Sequence, residues 1–446
     1  MITAIRLYPQ AILPVIYTPS PPHQYPDRRT RTHTNTTSHF TQFTPLGLCM
    51  EARLLAHEVS DLCLGKPPLT SLPISATISH ALTALQSSED THISIWTCDH
   101  HHSTAEGFIH ECRCVGKICM VDIICYLCKE DNVLCPSSAL KSPVSVLLSH
   151  VPAVVRHVEP SASLMEAIDL IIQGVQNLIV PINSTKTFKR KQPRQCPSIA
   201  PTAHDGGREF CCVTQEDVIR FLLSSIGLFS PIAAYSVESL GIITTEILTI
   251  NYHSPASKAV DAISTSLADQ TSVAVIDDDG VLIGEISPFT LAYCDEMVAA
   301  AITTLSAGDL MAYIDCGGPP EDIIRVVEAR LKERNLNGML EEYSIYSSGI
   351  PYCSSISSSD EESVTSPTTT RSGRYNRSSR YSARIMRRAE AIVCYPRSSL
   401  VAVMIQAIAH RVSYVWVIEE DGSVVGIVRF SGILEVFQKH LRSMTN

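Results

Sequence analysis

The feature that most constrains the fold is a repeated pair of short apolar runs around an acidic turn. The segment "VAVIDDDGVLIGEISPF" at residues 273–289 recurs as "VWVIEEDGSVVGIVRF" at residues 415–430. Apolar runs flanking an Asp-Gly pair are typical of a β-hairpin. Because an isolated hairpin is marginally stable at best, two copies predict a larger repeated unit.

The similarity between the two copies extends upstream of the turns. When the turns are aligned, residues 257–276 face residues 399–418, and each stretch begins with a polar turn that could cap a helix. An amphipathic helix then leads into the hairpin, and "FTLAYCDEMV" or "SGILEVFQKHL" follows as a second helix. The apolar faces of the first helices are predicted to hold Val260, Ile263 and Leu267 in one copy and Val401, Ile405 and Ile408 in the other.

Two weaker copies precede these. Residues 161–182 and 209–223 supply the same helix, strand, strand and helix around a polar loop, and residues 75–96 and 114–128 do so around a His/Cys-rich loop. We therefore predict four β-α-β-β-α units in the chain.

This order of elements resembles the CBS motif, named after cystathionine β-synthase. The resemblance is carried by the turns at residues 275–286 and 417–428 and by the helices before them. The phrases "VSDLCLGKPPL" (59–69) and "CVGKICMVDIICYLC" (114–128) are similar to plant proteins of the CBSX type, which contain only CBS motifs. The resemblance implies an α/β fold of two tandem CBS modules, each packing two motifs about a pseudo-twofold axis with ligand clefts between them.

We predict the following domain limits. Residues 1–49 are a disordered extension, and the Ser/Arg-rich residues 343–383 form a long disordered loop. The modules and their motifs span residues 54–228 (54–130 and 140–228) and residues 236–442 (236–300, and 306–342 plus 384–442).

The resemblance also implies a ligand, because CBS motifs bind adenine nucleotides through Gly-h-x-(Ser/Thr)-x-x-(Asp/Asn), where h is apolar. In that signature the carboxylate accepts hydrogen bonds from ribose hydroxyls, and the helix N-terminus favours the phosphate. The candidate nucleotide-binding residues are Gly116 and Asp122 in the first motif, Thr214 and Asp217 in the second, Ser287 in the third and Arg429 in the fourth. Departures from the signature occur at Cys119, Cys211, Thr290 and Gly432.

Thr214 and Asp217 are the best match to the two polar positions of the signature. An alternative for Asp217 is an ordinary helix cap, for which aspartate is also favoured. Arg429 could contact a phosphate, or it could fill the site.

These observations predict a non-enzymatic regulatory protein that senses an adenine nucleotide (AMP, ADP or ATP) and modulates a partner protein. No catalytic motif is found, and no obligatory cofactor is expected. The resemblance implies a kinase complex, a thioredoxin or another enzyme as the partner. The alternative is a ligand-free CBS scaffold that acts only through protein–protein interaction.

Composition narrows the range of partners and compartments. A net charge of −10 argues against a nucleic-acid-binding protein, and no apolar run is long enough to predict a transmembrane segment. The scattered cysteines favour a reducing, cytoplasmic location. Organelle targeting by residues 1–49 and peripheral membrane association stay open alternatives.

Three further patterns have both a functional and a structural interpretation. "CDHHHSTAEGFIHECRC" (98–114) holds zinc-ligand types without a zinc-site spacing, so no metal site is predicted there. "CYLC" (125–128) is better explained by core cysteines than by a redox motif. "SSSDEE" (357–362) and "TSP" (365–367) are candidate phosphorylation sites beside arginines, or parts of an unmodified tether.

Overall fold

The computed structural model describes a subset of the chain. The described residues are 56–88, 90–97, 112–148, 155–182, 208–315, 320–347 and 390–445. The predictions for residues 1–49, for the His/Cys residues 98–110, for the candidate phosphorylation sites and for most of 343–383 fall outside them.

The described residues form an α/β protein with four small sheets. Its strands are β1 Ser71–Pro73, β2 His92–Trp96, β3 Cys114–Cys119, β4 Val155–His157, β5 Asn177–Ile182, β6 Glu209–Thr214, β7 Ile243–Thr244, β8 Leu248–Asn251, β9 Val273–Ile276, β10 Leu282–Ile286, β11 Val393–Cys394, β12 Tyr414–Ile418 and β13 Val424–Arg429. The α-helices are α1 Val59–Leu62, α2 Ile78–Ser87, α3 Met120–Leu127, α4 Glu130–Val133, α5 Pro136–Ala139, α6 Leu164–Ile172, α7 Gln215–Ser224, α8 Ser230–Ala234, α9 Val260–Asp269, α10 Pro288–Leu291, α11 Val298–Thr304, α12 Ala307–Asp315, α13 Glu321–Glu333, α14 Asn337–Ser347, α15 Leu400–His410 and α16 Phe430–Thr445.

Each sheet repeats one topology, which confirms the predicted repeat. The sheet orders are β1-β2-β3, β4-β5-β6, β8-β9-β10 and β11-β12-β13-β7. In every sheet the second strand pairs parallel with the first and antiparallel with the third. The parallel pair is joined through a helix because a parallel connection needs a crossover, whereas an antiparallel pair can be joined directly.

Side-chain caps start three of the first helices, whereas α9, for which a polar turn predicted a cap, begins after Ala259 without one. Thr77, Ser163 and Ser399 each accept a hydrogen bond from a backbone N–H in the first turn of α2, α6 or α15. Such caps satisfy donors that have no partner within the helix.

The acidic turns adopt the conformation that their glycines allow. Gly280 and Gly422 have φ values of +82° and +85°, a region that favours glycine. Asp277 Oδ1 accepts the backbone N–H of Asp279 at 3.0 Å and that of Val281 at 2.9 Å, which closes the first turn.

These two turns also bind each other. The backbone N–H of Leu282 donates to the carbonyl of Gly422 at 3.0 Å, and the N–H of Val424 donates to the carbonyl of Gly280 at 3.4 Å. The two hydrogen bonds relate equivalent positions of the two copies. They are what a local twofold relation between the third and fourth motifs requires.

The predicted apolar face of α15 is wrong. Ile405 is 53% exposed, and the buried face is formed instead by Leu400, Val403, Met404 and Ala407. Nearly the whole helix is apolar, so hydrophobic periodicity could not identify its buried side. The face predicted for α9 is better, since Ile263 is fully buried and Val260 and Leu267 pack against the same core.

Two other segments differ from the predicted elements. The second helix of the third motif is interrupted, with α10 ending at Leu291 and α11 beginning at Val298. Within residues 307–315 and 320–347, where the fourth motif was predicted to begin, the structure has α12 to α14, and α14 continues to Ser347, inside the predicted loop. The domain limits themselves stay predictions.

The helices of alternate motifs share cores. One buried cluster joins the first motif with the third, and there α3 packs against α9 and α11. A second cluster joins the second motif with the fourth, and there α16 packs against α6 and α7. The first and second sheets meet at a smaller cluster of Trp96, Cys114, Ile179 and Phe210.

Candidate functional site

Thr214 and Asp217 lie together at the junction of β6 and α7. Asp217 Oδ2 accepts the backbone N–H of Thr214 at 2.7 Å and its hydroxyl at 2.9 Å. The pair therefore forms a capping box at the start of α7. Both predicted roles of Asp217 remain compatible with this geometry, since a capping carboxylate at a helix N-terminus also faces any ligand bound there.

The second carboxylate oxygen of Asp217 is bound by Lys66. The Lys66 Nζ lies 2.7 Å from Asp217 Oδ1, and the two side chains are 24% and 21% exposed. Lys66 ends a tight turn over residues 63–66, in which its N–H donates to the Cys63 carbonyl at 3.1 Å and Gly65 has φ +76°. We call residues 63–66 the cleft turn.

Access to the first motif's candidate residues is restricted. A methyl group at Gly116 would lie 2.6 Å from Leu148 Cδ2, so the space beside this glycine is already filled by a leucine. Asp122 Oδ2 accepts the backbone N–H of Cys119 at 2.7 Å, and burial raises the pKa of Asp122 to about 6.

In the third motif, Ser287 is already engaged by another side chain. It is 2% exposed, and its hydroxyl lies 2.9 Å from the hydroxyl of Tyr414 in the fourth motif. Tyr414 and Trp416 also donate to the buried carboxylate of Glu285, at 3.0 Å and 2.7 Å. Burial, and then the nearby Glu285, raises the pKa of Tyr414 well above its usual value.

A short edge strand covers the glycine of the fourth motif. β7 pairs with β13, and a methyl group at Gly426 would lie 2.5 Å from the carbonyl oxygen of Thr244. Arg429 ends β13 opposite Tyr414, half-buried. Among the described residues, no carboxylate forms an ion pair with Arg429. Ser287 and Arg429 are therefore both placed next to Tyr414.

The structure adds contacts that sequence reasoning missed. Lys66 contacts Asp217 across most of the first module, and no local spacing relates the two residues. Likewise, Glu285 contacts Tyr414, and Lys117 Nζ donates to Asn177 Oδ1 at 3.1 Å. Glu285 and Lys117 each follow a signature glycine, and their partners Tyr414 and Asn177 are each the first residue of a central strand. An alignment of the copies could therefore have indicated these two contacts.

The described residues contain neither a metal-binding cluster nor a helix able to span a membrane. Among these, no group of three or more His, Cys, Asp and Glu side chains is arranged to hold a metal ion. Nor does any helix in this part of the chain have the length and apolar character needed to cross a bilayer. The "CYLC" cysteines lie in the core at α3, where burial raises the pKa of Cys128 to about 12 and also raises that of Cys125.

Comparison with known proteins identifies the family. The chain is 51% identical over 403 residues to the CBS domain-containing protein CBSX5 of Arabidopsis thaliana, covering 88% of this chain and 100% of that protein. The chain belongs to the CBSX family. A second CBSX protein, CBSX6 of Arabidopsis thaliana, is 28% identical over 426 residues, covering 87% of this chain and 95% of its own length.

The chain is also similar to a family model and to a solved structure. The family model for the CBS domain matches residues 383–439, around the fourth motif. A solved structure from Methanocaldococcus jannaschii, described as a candidate archaeal homologue of γ-AMPK, is 13% identical with a TM-score of 0.48. That match covers 85% of this chain and 100% of the archaeal one.

Proposed function

We propose that this CBSX protein is a non-enzymatic regulator that binds an adenine nucleotide at Thr214 and Asp217 and thereby modulates a partner protein. The single observation that carries the proposal is the kind of group that contacts the carboxylate of Asp217. Among the described residues, the side chain that engages Asp217 Oδ1 is that of Lys66 on the cleft turn, in an ion pair. At other signature positions the neighbouring groups are a leucine side chain at Gly116, a buried tyrosine hydroxyl at Ser287 and a backbone carbonyl at Gly426.

Displacing Lys66 costs little compared with what a nucleotide gains. A partly exposed ion pair contributes on the order of 1 kcal/mol. Micromolar binding corresponds to about 8 kcal/mol. A ribose hydroxyl can therefore take Asp217 Oδ1, while the released Lys66 ammonium and the N-terminus of α7 favour the phosphate.

The released cleft turn would transmit binding to a partner. Cleft-turn residue Leu64 is 81% exposed and the turn follows α1, which is held to the second motif by a hydrogen bond from the Val59 N–H to the Ala162 carbonyl. A nucleotide that moves Lys66 changes the surface around Leu64. The nucleotide binds more tightly when Lys66 has moved away from Asp217 than when the ion pair is intact, and this difference in affinity supplies the energy for the change. We place this regulation in the cytoplasm, with a kinase complex, a thioredoxin or another enzyme as the partner.

Calorimetric titration of the full chain with AMP, ADP, ATP and S-adenosylmethionine tests the proposal. We expect saturable binding of at least one adenine nucleotide, and its loss in Asp217→Ala. The matched control is Glu216→Ala, because Glu216 is the adjacent residue and pairs with Arg220 outside the capping box. Folded native protein that releases no heat with any of the four ligands would refute nucleotide sensing.

A second candidate function, a ligand-free scaffold, is favoured for the C-terminal motifs. The hydroxyl of Tyr414 is hydrogen-bonded to that of Ser287, and β7 lies against Gly426. Both features close a cleft with parts of the fold that cannot move without breaking buried contacts. If titration fails, capture of a protein partner by the folded chain becomes the decisive experiment.

A further inference from the structure

A lysine and a cysteine from different motifs meet around a buried asparagine. Lys117 lies in β3 of the first motif, whereas Asn177 and Cys212 lie in β5 and β6 of the second. The Lys117 Nζ is 3.1 Å from Asn177 Oδ1 and 3.7 Å from Cys212 Sγ. The Cys212 thiol donates to the same Asn177 oxygen at 3.4 Å. The three side chains therefore form a closed triangle at the junction of the two sheets.

The amine and the thiol of this triangle are open to small reagents, but the asparagine is not. Asn177 is 7% exposed, so it is a fixed anchor that keeps both groups beside it. Lys117 and Cys212 are only partly buried, which allows a small oxidant to reach the sulfur. Alternation along β6 places the side chain of Cys211 on the opposite face of the strand, where it is fully buried. Lys117, and not the neighbouring thiol, is therefore positioned as the partner of an oxidised Cys212.

The second module has the same arrangement of strands without a reactive pair. Cys212 is paired with the third residue of β5, and Ile427 is paired with the third residue of β12 in the equivalent hairpin. Glu285 takes the place of Lys117, because each follows a signature glycine. The fold therefore accepts a carboxylate and an aliphatic side chain at these two positions. An amine beside a thiol is thus a property of the first module and not a requirement of the fold.

We propose that Lys117 and Cys212 form a reversible sulfenamide, a covalent S–N bond that joins the first motif to the second. Hydrogen peroxide is the oxidant. Its O–O bond breaks as it converts the Cys212 thiol to a sulfenic acid, and one water is released. The neutral Lys117 amine then attacks Cys212 Sγ, so the S–N bond forms as the S–O bond breaks, and the departing hydroxide takes a proton from the nitrogen to give a second water. A dithiol reductant reverses the step, because it returns the amine and the thiol and becomes a disulfide itself.

The bond would cross-link the first module between residues that are 95 positions apart. A cross-link of this kind lowers the entropy of the unfolded chain, as a disulfide does, so the oxidised form is expected to resist unfolding more strongly. Strand β6 also ends at Thr214, so the bond would fix the strand that carries the proposed nucleotide site. This last consequence rests on the proposed function, whereas formation of the bond does not.

Peptide mapping of the full chain tests the covalent step. The reduced protein is treated with hydrogen peroxide, the remaining thiols are alkylated, and linked peptides are identified by mass spectrometry without reduction. We expect a peptide pair linked through Lys117 and Cys212, with the summed mass of the two peptides less two hydrogen atoms. This pair should disappear on dithiothreitol treatment and in Cys212→Ser.

Lys117→Arg is the decisive variant. Arginine keeps the positive charge and can still donate to Asn177, but its guanidinium is a poor nucleophile. We expect this variant to lose the linked peptide while dimedone still labels a sulfenic acid at Cys212. The matched control is Cys63→Ser, because Cys63 is another partly buried thiol and serine preserves its hydrogen bond to the Val59 carbonyl. The control should form the linked peptide as the native protein does, and circular dichroism checks that both variants are folded.

Three results of the mapping would overturn the proposal. They are dimedone labelling of Cys212 in native protein without a link to Lys117, no oxidation of Cys212 at all, and a disulfide from Cys212 to Cys114, a buried cysteine of the same cluster.

Urea denaturation of both redox forms tests the effect of the bond. We expect a higher urea midpoint for the oxidised native protein than for the reduced form, and equal midpoints for the two forms of Lys117→Arg. Equal midpoints of the two native forms, with the linked peptide present, would overturn the stabilising effect. Nucleotide titration of the reduced protein tests the proposed function separately. A linked peptide in protein that binds no nucleotide when reduced would refute that function and leave the cross-link.

Discussion

Glu285 is a buried carboxylate whose partners are the side chains of two aromatic residues. Tyr414 and Trp416 both donate to it, and Tyr414 also contacts the hydroxyl of Ser287. Burial of a charged group is unfavourable unless its hydrogen bonds are satisfied. The network is therefore expected to stabilise the contact between the third and fourth motifs, provided that each member keeps its partner.

Tyr414→Phe tests this network. Removing the hydroxyl takes one donor from Glu285 and a partner from Ser287 without removing the ring, so we expect a loss of about 1–3 kcal/mol in the free energy of unfolding. Urea denaturation measures the loss. Tyr395→Phe is the matched control at a side chain that is 50% exposed, with an expected change within about 0.5 kcal/mol. Equal effects of the two substitutions would contradict a stabilising role for the network.

Local spacing decides which site residues could be predicted from the sequence. Thr214 and Asp217 were identified because they match the two polar positions of the CBS nucleotide signature, and their separation at a helix start lets the backbone alone bring their side chains together. Lys66 was not, because its contact with Asp217 depends on how the cleft turn lies against the start of α7. Ser287 matched the signature by residue type, but nothing in the local sequence indicated that its hydroxyl would be hydrogen-bonded to Tyr414.

At the scale of elements, the strands of the hairpins were more predictable than the helices. Asp-Gly turns between apolar runs fixed β9 to β10 and β12 to β13. The break between α10 and α11 was missed because apolar residues continue through it. Strand β7 was missed as well, since it pairs with β13 only through distant packing at the sheet edge.

Gly426→Ala tests the covering of β13 by β7. The added methyl group would meet the Thr244 carbonyl at 2.5 Å and Ile243 Cγ2 at 2.8 Å, so the edge strand must shift. We expect a loss of about 1–3 kcal/mol in unfolding free energy, measured by thermal or urea denaturation. Gly227→Ala is the control, because a methyl group there would have no atom within 4 Å. A Gly426→Ala protein as stable as this control would show that β7 yields without cost.

At the scale of the whole molecule, the described residues bury apolar surface across the predicted boundary between the two modules. One core joins the first and third motifs and another joins the second and fourth. A module separated from the other would expose helix faces that are now buried, which is unfavourable in water. The two modules are therefore expected to unfold together rather than one after the other.

The two tryptophans of the chain allow a direct test. Trp96 lies in the first motif and Trp416 in the fourth, and both are fully buried. In Trp416→Phe the fluorescence reports the first module, and in Trp96→Phe it reports the second. We expect the urea transition followed by fluorescence to coincide in each variant with that followed by far-ultraviolet circular dichroism. Fluorescence that changes before or after the circular dichroism signal would show that the modules unfold independently.

The hydrogen bonds between the turns at Gly280 and Gly422 limit how the chain can change in length. Because each turn hydrogen-bonds to the other, an insertion or deletion in one turn would break the hydrogen bonds between them. In the first module, β2 ends at Trp96 and β3 begins only at Cys114, while β5 ends at Ile182 and β6 begins at Glu209. The connections at Gly280 and Gly422 are thus tied to each other in length, and both are much shorter than the two that the first module has at the same places.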